Sequence, residues 1–255
     1  MRWMLLLGGL LFAQPSHAQN CQVSWNLPQT SAPGTMICRQ AYVSYHDDQA
    51  KIPRWVSYAL TPENLMGCTP RINSFRADPD LPQGRRAELI DYARTGYDIG
   101  HMASSADMTR NEQVQRESFY LSNMAPQLPE NNRGEWAQLE SNLRSWVWQN
   151  QKAIVVHVGP IYSTASKTIG PNRVVVPEAF YKVAVDTTTN HATAWIMPQQ
   201  TPGKNDLSGF IVTVRELEEQ TGMIFPGIVN KNTRGFQLLG NAQLLREARA
   251  QRCGR

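Results

Sequence analysis

Between Arg54 and Arg144 the chain has no lysine; ten arginines and twelve Asp or Glu share that stretch. A diffuse positive field is therefore excluded there, and any phosphate recognition must come from individually placed guanidinium groups. Cysteines number four in 255 residues, with no Cys-x-x-Cys pair, which argues against a structural zinc site. Histidines number five. No low-complexity tract and no internal repeat occurs, which argues against a solenoid. The one long apolar run, Trp3 to Phe12, is too short for a permanent membrane anchor. With Arg2 before it and Ser16-His17-Ala18 after it, residues 1–18 read as a secretory signal, the alternative being a buried N-terminal helix.

What remains, 19–255, suits a single domain: the chain is 41% hydrophobic and 18% charged. Export implies a periplasmic or extracellular protein with no membrane contact after cleavage, as monomer or homodimer. It also implies disulfides among Cys21, Cys38, Cys68 and Cys253, with three pairings open and Cys253 expected to pin the C-terminus onto the N-terminal region. Net charge is +4, or +3 once Arg2 is lost, which permits nucleic acid without demanding it. Arg246, Arg249, Arg252 and Arg255 fall at intervals of three on one flank of a last helix, where a solvated helix end is the simpler account.

Partial alternation predicts strands at 37–45 and 55–60, joined by the turn His46-Asp47-Asp48. Residues 62–81 read as loop and 88–93 as a short helical piece. Short extended segments are expected at 97–101 and 119–124. Trp136, Leu139, Leu143, Trp146 and Val147 share a stripe, which predicts a helix over 133–148. The apolar run 153–158 reads as a central strand, followed by strands at 174–176, 180–185 and 192–197. Helices are expected at 207–220, stopped by Gly222, and at 238–251. No βαβ alternation appears, so the class is α+β: a largely antiparallel central sheet flanked by helices.

The stretch from Thr95 to Trp148 is where chemistry concentrates. Hydrolysing a phosphodiester needs a base for water, a sink for developing charge, and help for the leaving oxygen. A neutral imidazole supplies the first and a well-hydrated divalent cation the other two. His17 leaves with the signal, His46 lies in a turn, His157 in an apolar strand and His191 after a loop, so His101 is the best candidate base. Asn132, at the mouth of the long helix, is a candidate cation ligand through its amide oxygen, or else an N-cap. Glu140, eight residues on, lies roughly 80° round a continuous helix and suits a water-mediated hold on the same cation.

The segments YDIGHMASSADM, SNMAPQ, NNRGEW and QLE, with RINSFRADPDL before them and HVGPIY, VPEAFYKVAVD and VRELEEQTGMIF after, resemble the DNA/RNA non-specific endonuclease family over nearly the whole mature chain. That resemblance implies a ββα-metal core and a sugar-nonspecific endonuclease acting on DNA and RNA. It implies His101 as general base, Asn132 as direct ligand of Mg²⁺ (Mn²⁺ being a substitute), Glu140 as the outer-sphere carboxylate, and Arg71 on the scissile phosphate. Asn123 matches a family asparagine near the metal waters, and Asp98 is expected to fix the histidine strand.

One position departs from the family pattern: the residue two before His101 is Ile99, where the family carries arginine. Residues 99 and 101 of an extended strand face the same way, so a phosphate-facing donor is missing. Three outcomes follow: another arginine among Arg94, Arg110 and Arg133 compensates, turnover is slower, or the chain only captures nucleic acid. Arg94 and Arg133 are accordingly expected at the substrate.

Overall fold

The computed structural model describes residues 21–201, 203, 206–235 and 241–254, so the segment read as a secretory signal lies outside the described residues. Its first regular structure is a run of antiparallel strands, β1 (Thr35–Cys38), β2 (Val43–Asp47) and β3 (Ile52–Leu60). The single strand expected over 37–45 is a hairpin, turned where Arg39 N donates to Tyr42 O and the Arg39 guanidinium reaches Asp78 and Asp80.

Helix α1 (Pro62–Leu65) follows, with Thr61 accepting from Asn64 N as its cap. Next come β4 (Asp98–His101), α2 (Glu112–Glu117), β5 (Met124–Gln127), α3 (Pro129–Arg133) and α4 (Glu135–Asn150). Strand β6 (Ile154–Ile161) is followed by the ribbon β7 (Thr168–Ile169) and β8 (Val174–Val175). Strands β9 (Ala179–Asp186), β10 (Ala192–Pro198) and β11 (Ile211–Val212) precede α5 (Val214–Thr221) and α6 (Ala242–Cys253). Strands pair antiparallel in the order β1-β2-β3-β6-β9-β10-β11, and β4 pairs β5 in a separate ribbon. The α+β class and the antiparallel sheet are as expected, with β6 at its centre.

The sheet is covered on both faces. Val56, Tyr58, Val156, Val158, Phe180 and Ala184 pack under Trp136, Leu139, Leu143 and Val147 of α4. Trp55, Val155, Tyr181, Val183 and Val185 pack against Val214, Leu217 and Phe225 on the α5 side. Each such buried side chain contributes about 1.5–3 kcal/mol, so the stripe on α4 fixes where that helix lies. Trp146, expected on the stripe, is only half-buried.

Three expected elements shift. The strand placed at 119–124 is a 3-10 turn, Leu121–Asn123, leading into β5. Within the two-stranded ribbon β5 is an edge strand, which tolerates Pro126; the Gln199 side chain covers that edge by donating to Pro126 O and accepting from Leu128 N. The helix placed at 207–220 begins only at Val214, because Thr213 and Glu216 form a capping box that starts it there; Gly222 ends it at φ +67°. The last helix starts at Ala242 behind an Asn241 cap, and residues 238–240 of its expected range lie outside the described residues. Cys21 joins Cys38, and Cys68 joins Cys253. The C-terminus is thus pinned to the loop that carries Arg71, not to the N-terminal arm.

Candidate active site

The β4–β5 ribbon places Asp98 opposite Gln127 and His101 opposite Met124. Gly100 lets the two strands close up, since a Cβ there would stand 2.4 Å from Gln127 Oε1. His101 is 9% exposed and stands between Phe75 and Phe119, whose ring centroids lie 5.5 and 4.9 Å from its own. Its Nε2 is enclosed without a hydrogen-bond partner. Burial, and then the positive charge of Arg71, push its pKa down from 6.5 to about 3. The ring is therefore neutral at working pH, as expected, but by a larger margin than an ordinary histidine's pKa would give.

Arg71 lies beside it. Its Nε donates to Asn73 Oδ1 at 2.6 Å, Nη1 donates to Ser105 Oγ, and the guanidinium covers the Phe119 ring at 5.0 Å. His101 and Arg71 thus share Phe119 as a wall. The segment carrying Arg71 is fastened at Thr69 N, which donates to Thr109 O, and by the Cys68–Cys253 bridge.

The two adjacent asparagines of α3 separate cleanly. Asn131 is fully buried and donates to Pro198 O, whereas Asn132 is half-exposed. Asn132 is not an N-cap: the cap of α4 is Gly134, whose φ of −99° and ψ of −116° break the helix, and where a Cβ would meet Glu130 O at 2.3 Å. Asn132 and Glu140 therefore stand on two helices, and the 80° separation expected for one continuous helix does not apply. Asn132 Nδ2 donates to Asp98 Oδ2 at 2.8 Å, and Arg133 donates to the same carboxylate through Nε at 2.8 Å and Nη2 at 2.6 Å. Partial burial raises the Asp98 pKa, but the donors of Arg133 and Asn132 outweigh it and hold the carboxyl below the usual range. With its nitrogen given to Asp98, the Asn132 side chain has its amide oxygen left to offer a cation.

Glu140 is 11% exposed at the side chain; Lys182 Nζ lies 3.3 Å from its Oε1 and Arg144 Nη1 3.9 Å from its Oε2. Among the described residues no group of three or more His, Cys, Asp or Glu gathers. An amide oxygen with one carboxylate suits a hard cation that keeps most of its waters, such as Mg²⁺, and not zinc.

The remaining expected residues scatter. Asn123 is fully buried; its Oδ1 accepts from Ala103 N and its Nδ2 donates to the carbonyls of Ala103 and Ser118. Its amide is spent on backbone, so it anchors the end of β4 instead of meeting a reactant. Ile99 is half-buried against the main core and offers no donor. Arg94 is exposed at φ +59°, and Arg110 lines a separate cleft with Trp25 and Asp107; of the three candidate arginines, only Arg133 is docked on β4. Sequence reasoning missed Gln127, which is fully buried with both side-chain polar atoms unpartnered, and the Arg144 and Lys182 cations around Glu140. The four-residue spacing of Glu140 and Arg144 was a usable signal; nothing local pointed to Lys182.

Comparison with known proteins meets this geometry. The family model described as DNA/RNA non-specific endonuclease matches residues 24–232. A nuclease of Syncephalastrum racemosum is 31% identical over 215 residues, covering 74% of this chain and 67% of that one. The mitochondrial nuclease of Saccharomyces cerevisiae is 34% identical over 210 residues, covering 72% of this chain and 63% of the relative. A solved complex of EndoG with EndoGI superposes with TM-score 0.72 at 30% identity, covering 78% of this chain and 89% of that one.

Proposed function

Because this chain belongs to the DNA/RNA non-specific endonuclease family, we propose that it is a Mg²⁺-dependent endonuclease that hydrolyses phosphodiester bonds of DNA and RNA regardless of sugar. The observation that carries this reading is a neutral, enclosed His101 on β4 together with Asn132 of α3, whose amide nitrogen is bound to Asp98 of the same strand, leaving its oxygen to offer a cation. Arg71 links the groups: its charge lowers the proton affinity of His101, and the Glu140 carboxylate acts on Arg71 in turn.

His101 accepts a proton from the attacking water at Nδ1, since Nε2 is walled off. Arg71 grips a non-bridging phosphate oxygen and takes up charge as it develops. A bound phosphate also offsets the Arg71 charge that depresses the His101 pKa, so the base strengthens as substrate arrives. Asn132 holds the cation directly and Glu140 through its waters; the cation, when bound, supplies charge stabilisation and help for the leaving oxygen. Arg133, docked on Asp98 yet 71% exposed, is the guanidinium offered to phosphate in place of the one absent at Ile99. Arg94 contributes a peripheral phosphate contact, and Asn123 positions β4. Two disulfides support export to the periplasm or beyond, with 19–255 as one nuclease domain. No described helix is long and apolar enough to cross a membrane.

The test is digestion of plasmid and of RNA by the purified mature protein with Mg²⁺ or with EDTA. Cleavage of both, abolished by EDTA and by His101→Ala, is expected. Retention of nucleic acid without cleavage would replace the enzyme with a capture protein.

A further inference from the structure

Lys182 sits in the middle of β9, every residue of which is buried, and its own side chain is 0% exposed. Phe180 and Ala184, two positions to either side, belong to the core beneath α4, so Lys182 projects there too. An aliphatic side chain would fill that place without stripping a charge of water. Against the ammonium stand Glu140 Oε1 at 3.3 Å and the face of Trp136 at 4.3 Å, and the charges of Asp107 and Arg144 also reach it. Glu140 and Trp136 sit four residues apart on α4, one turn, so a single face of the helix receives the charge. Burial lowers the proton affinity of Lys182 and Glu140 works against that loss.

The opposite side of Glu140 is also held. Arg144 lies 3.9 Å from Oε2 and is itself fixed at 2.9 Å by Asp107, whose other oxygen accepts the Tyr58 hydroxyl at 2.8 Å. A lone glutamate on a helix swivels freely about its last torsion; this one is clamped from beneath.

We propose that Lys182 is a positioning residue that fixes the Glu140 carboxylate toward the cation site and so sets the affinity for Mg²⁺ before nucleic acid binds. The proposal rests on the reading of Glu140 as an outer-sphere holder of the cation. Partners of this kind typically change metal affinity about 10–100-fold when removed.

Mn²⁺ binding to the nucleic-acid-free protein, followed by the EPR signal of unbound Mn²⁺, tests it, with melting in EDTA as the measure of folding. Lys182→Met is expected to weaken Mn²⁺ about 10–100-fold and Lys182→Arg, which keeps a cation, to retain most of the affinity. In the E140Q background, K182M should add nothing, because its effect runs through Glu140. Wild-type Mn²⁺ affinity in a K182M protein that melts normally would overturn the proposal, and so would additive losses in the double variant. Unchanged Mn²⁺ affinity in E140Q alone would instead remove the premise about Glu140. Should K182M not melt cooperatively, Lys182→Leu, which likewise removes the donor toward Glu140, is judged by the same outcomes.

Discussion

Asp98 accepts the side-chain N–H of Asn132 at 2.8 Å and thereby fixes which end of that amide is engaged and which is left for a cation. The carboxylate links the strand of the proposed base to the helix of the proposed ligand. Asp98→Ala removes the constraint on the amide, and the Mg²⁺ concentration for half-maximal activity should rise about 10–100-fold with nucleic-acid binding in EDTA unchanged. Titrating Mg²⁺ at fixed substrate, with a filter-binding control, checks this. An unaltered midpoint would return Asp98 to a purely structural part.

Arg133 and Ile99 make a second pair. If Arg133 supplies the donor that Ile99 lacks, Arg133→Ala should lower kcat/KM about 10²-fold. Ile99→Arg should raise activity or leave it unchanged, and should recover much of the loss in the R133A background. Initial rates of the four variants on one duplex check it. A collapse of activity in I99R would show a site rebuilt around an apolar neighbour.

The depressed pKa of His101 shapes the pH profile. The working form is neutral and is lost only as pH falls through a value of about 3 in the free protein. The acid limb of kcat/KM should therefore lie well below pH 6.5, not at it. Rates at saturating Mg²⁺ between pH 8 and pH 5 measure this; a limb centred near 6.5 would mean the ring is more open to solvent than its enclosure by Phe75 and Phe119 implies.

Stability should fall with acid for a related reason. His157 is held by burial at a pKa of about 3, as is His101, against 6.5 for the ordinary group. The unfolded chain takes up these protons first, so stability is full above pH 6.5 and is lost as pH falls toward the folded values. At pH 5 each of the two costs about 2 kcal/mol. Urea midpoints at pH 7.5 and 5, with EDTA present, should separate less in His157→Gln than in the wild type.

Much of the site was legible because its signals are local. The stripe Trp136, Leu139, Leu143 and Val147 announces α4, and the apolar run beginning at Ile154 announces β6. His101 stands out by elimination among the histidines and Asn132 by its place at the mouth of the helical pattern, and the family resemblance gives both their expected roles. What escaped notice depends on contacts distant in sequence. The bond from Arg133 to Asp98 spans 35 residues and that from Lys182 to Glu140 spans 42. A lysine inside VPEAFYKVAVD signals nothing until β9 is laid beneath α4. The helix break at Gly134 was missed because the apolar period runs smoothly on one side of it, while the obstacle, Glu130 O, comes from the preceding turn.

The bridge between Cys68 and Cys253 closes a span of 185 residues, three positions from the loop's Arg71 at one end and within reach of the last residue at the other. It forms only after residue 253 has been synthesised and an oxidant has been met. Until then the loop that carries Arg71 lacks its covalent fastening. In a chain still emerging from the ribosome, or kept among reducing thiols, that loop and α6 are thus joined by packing and hydrogen bonds alone.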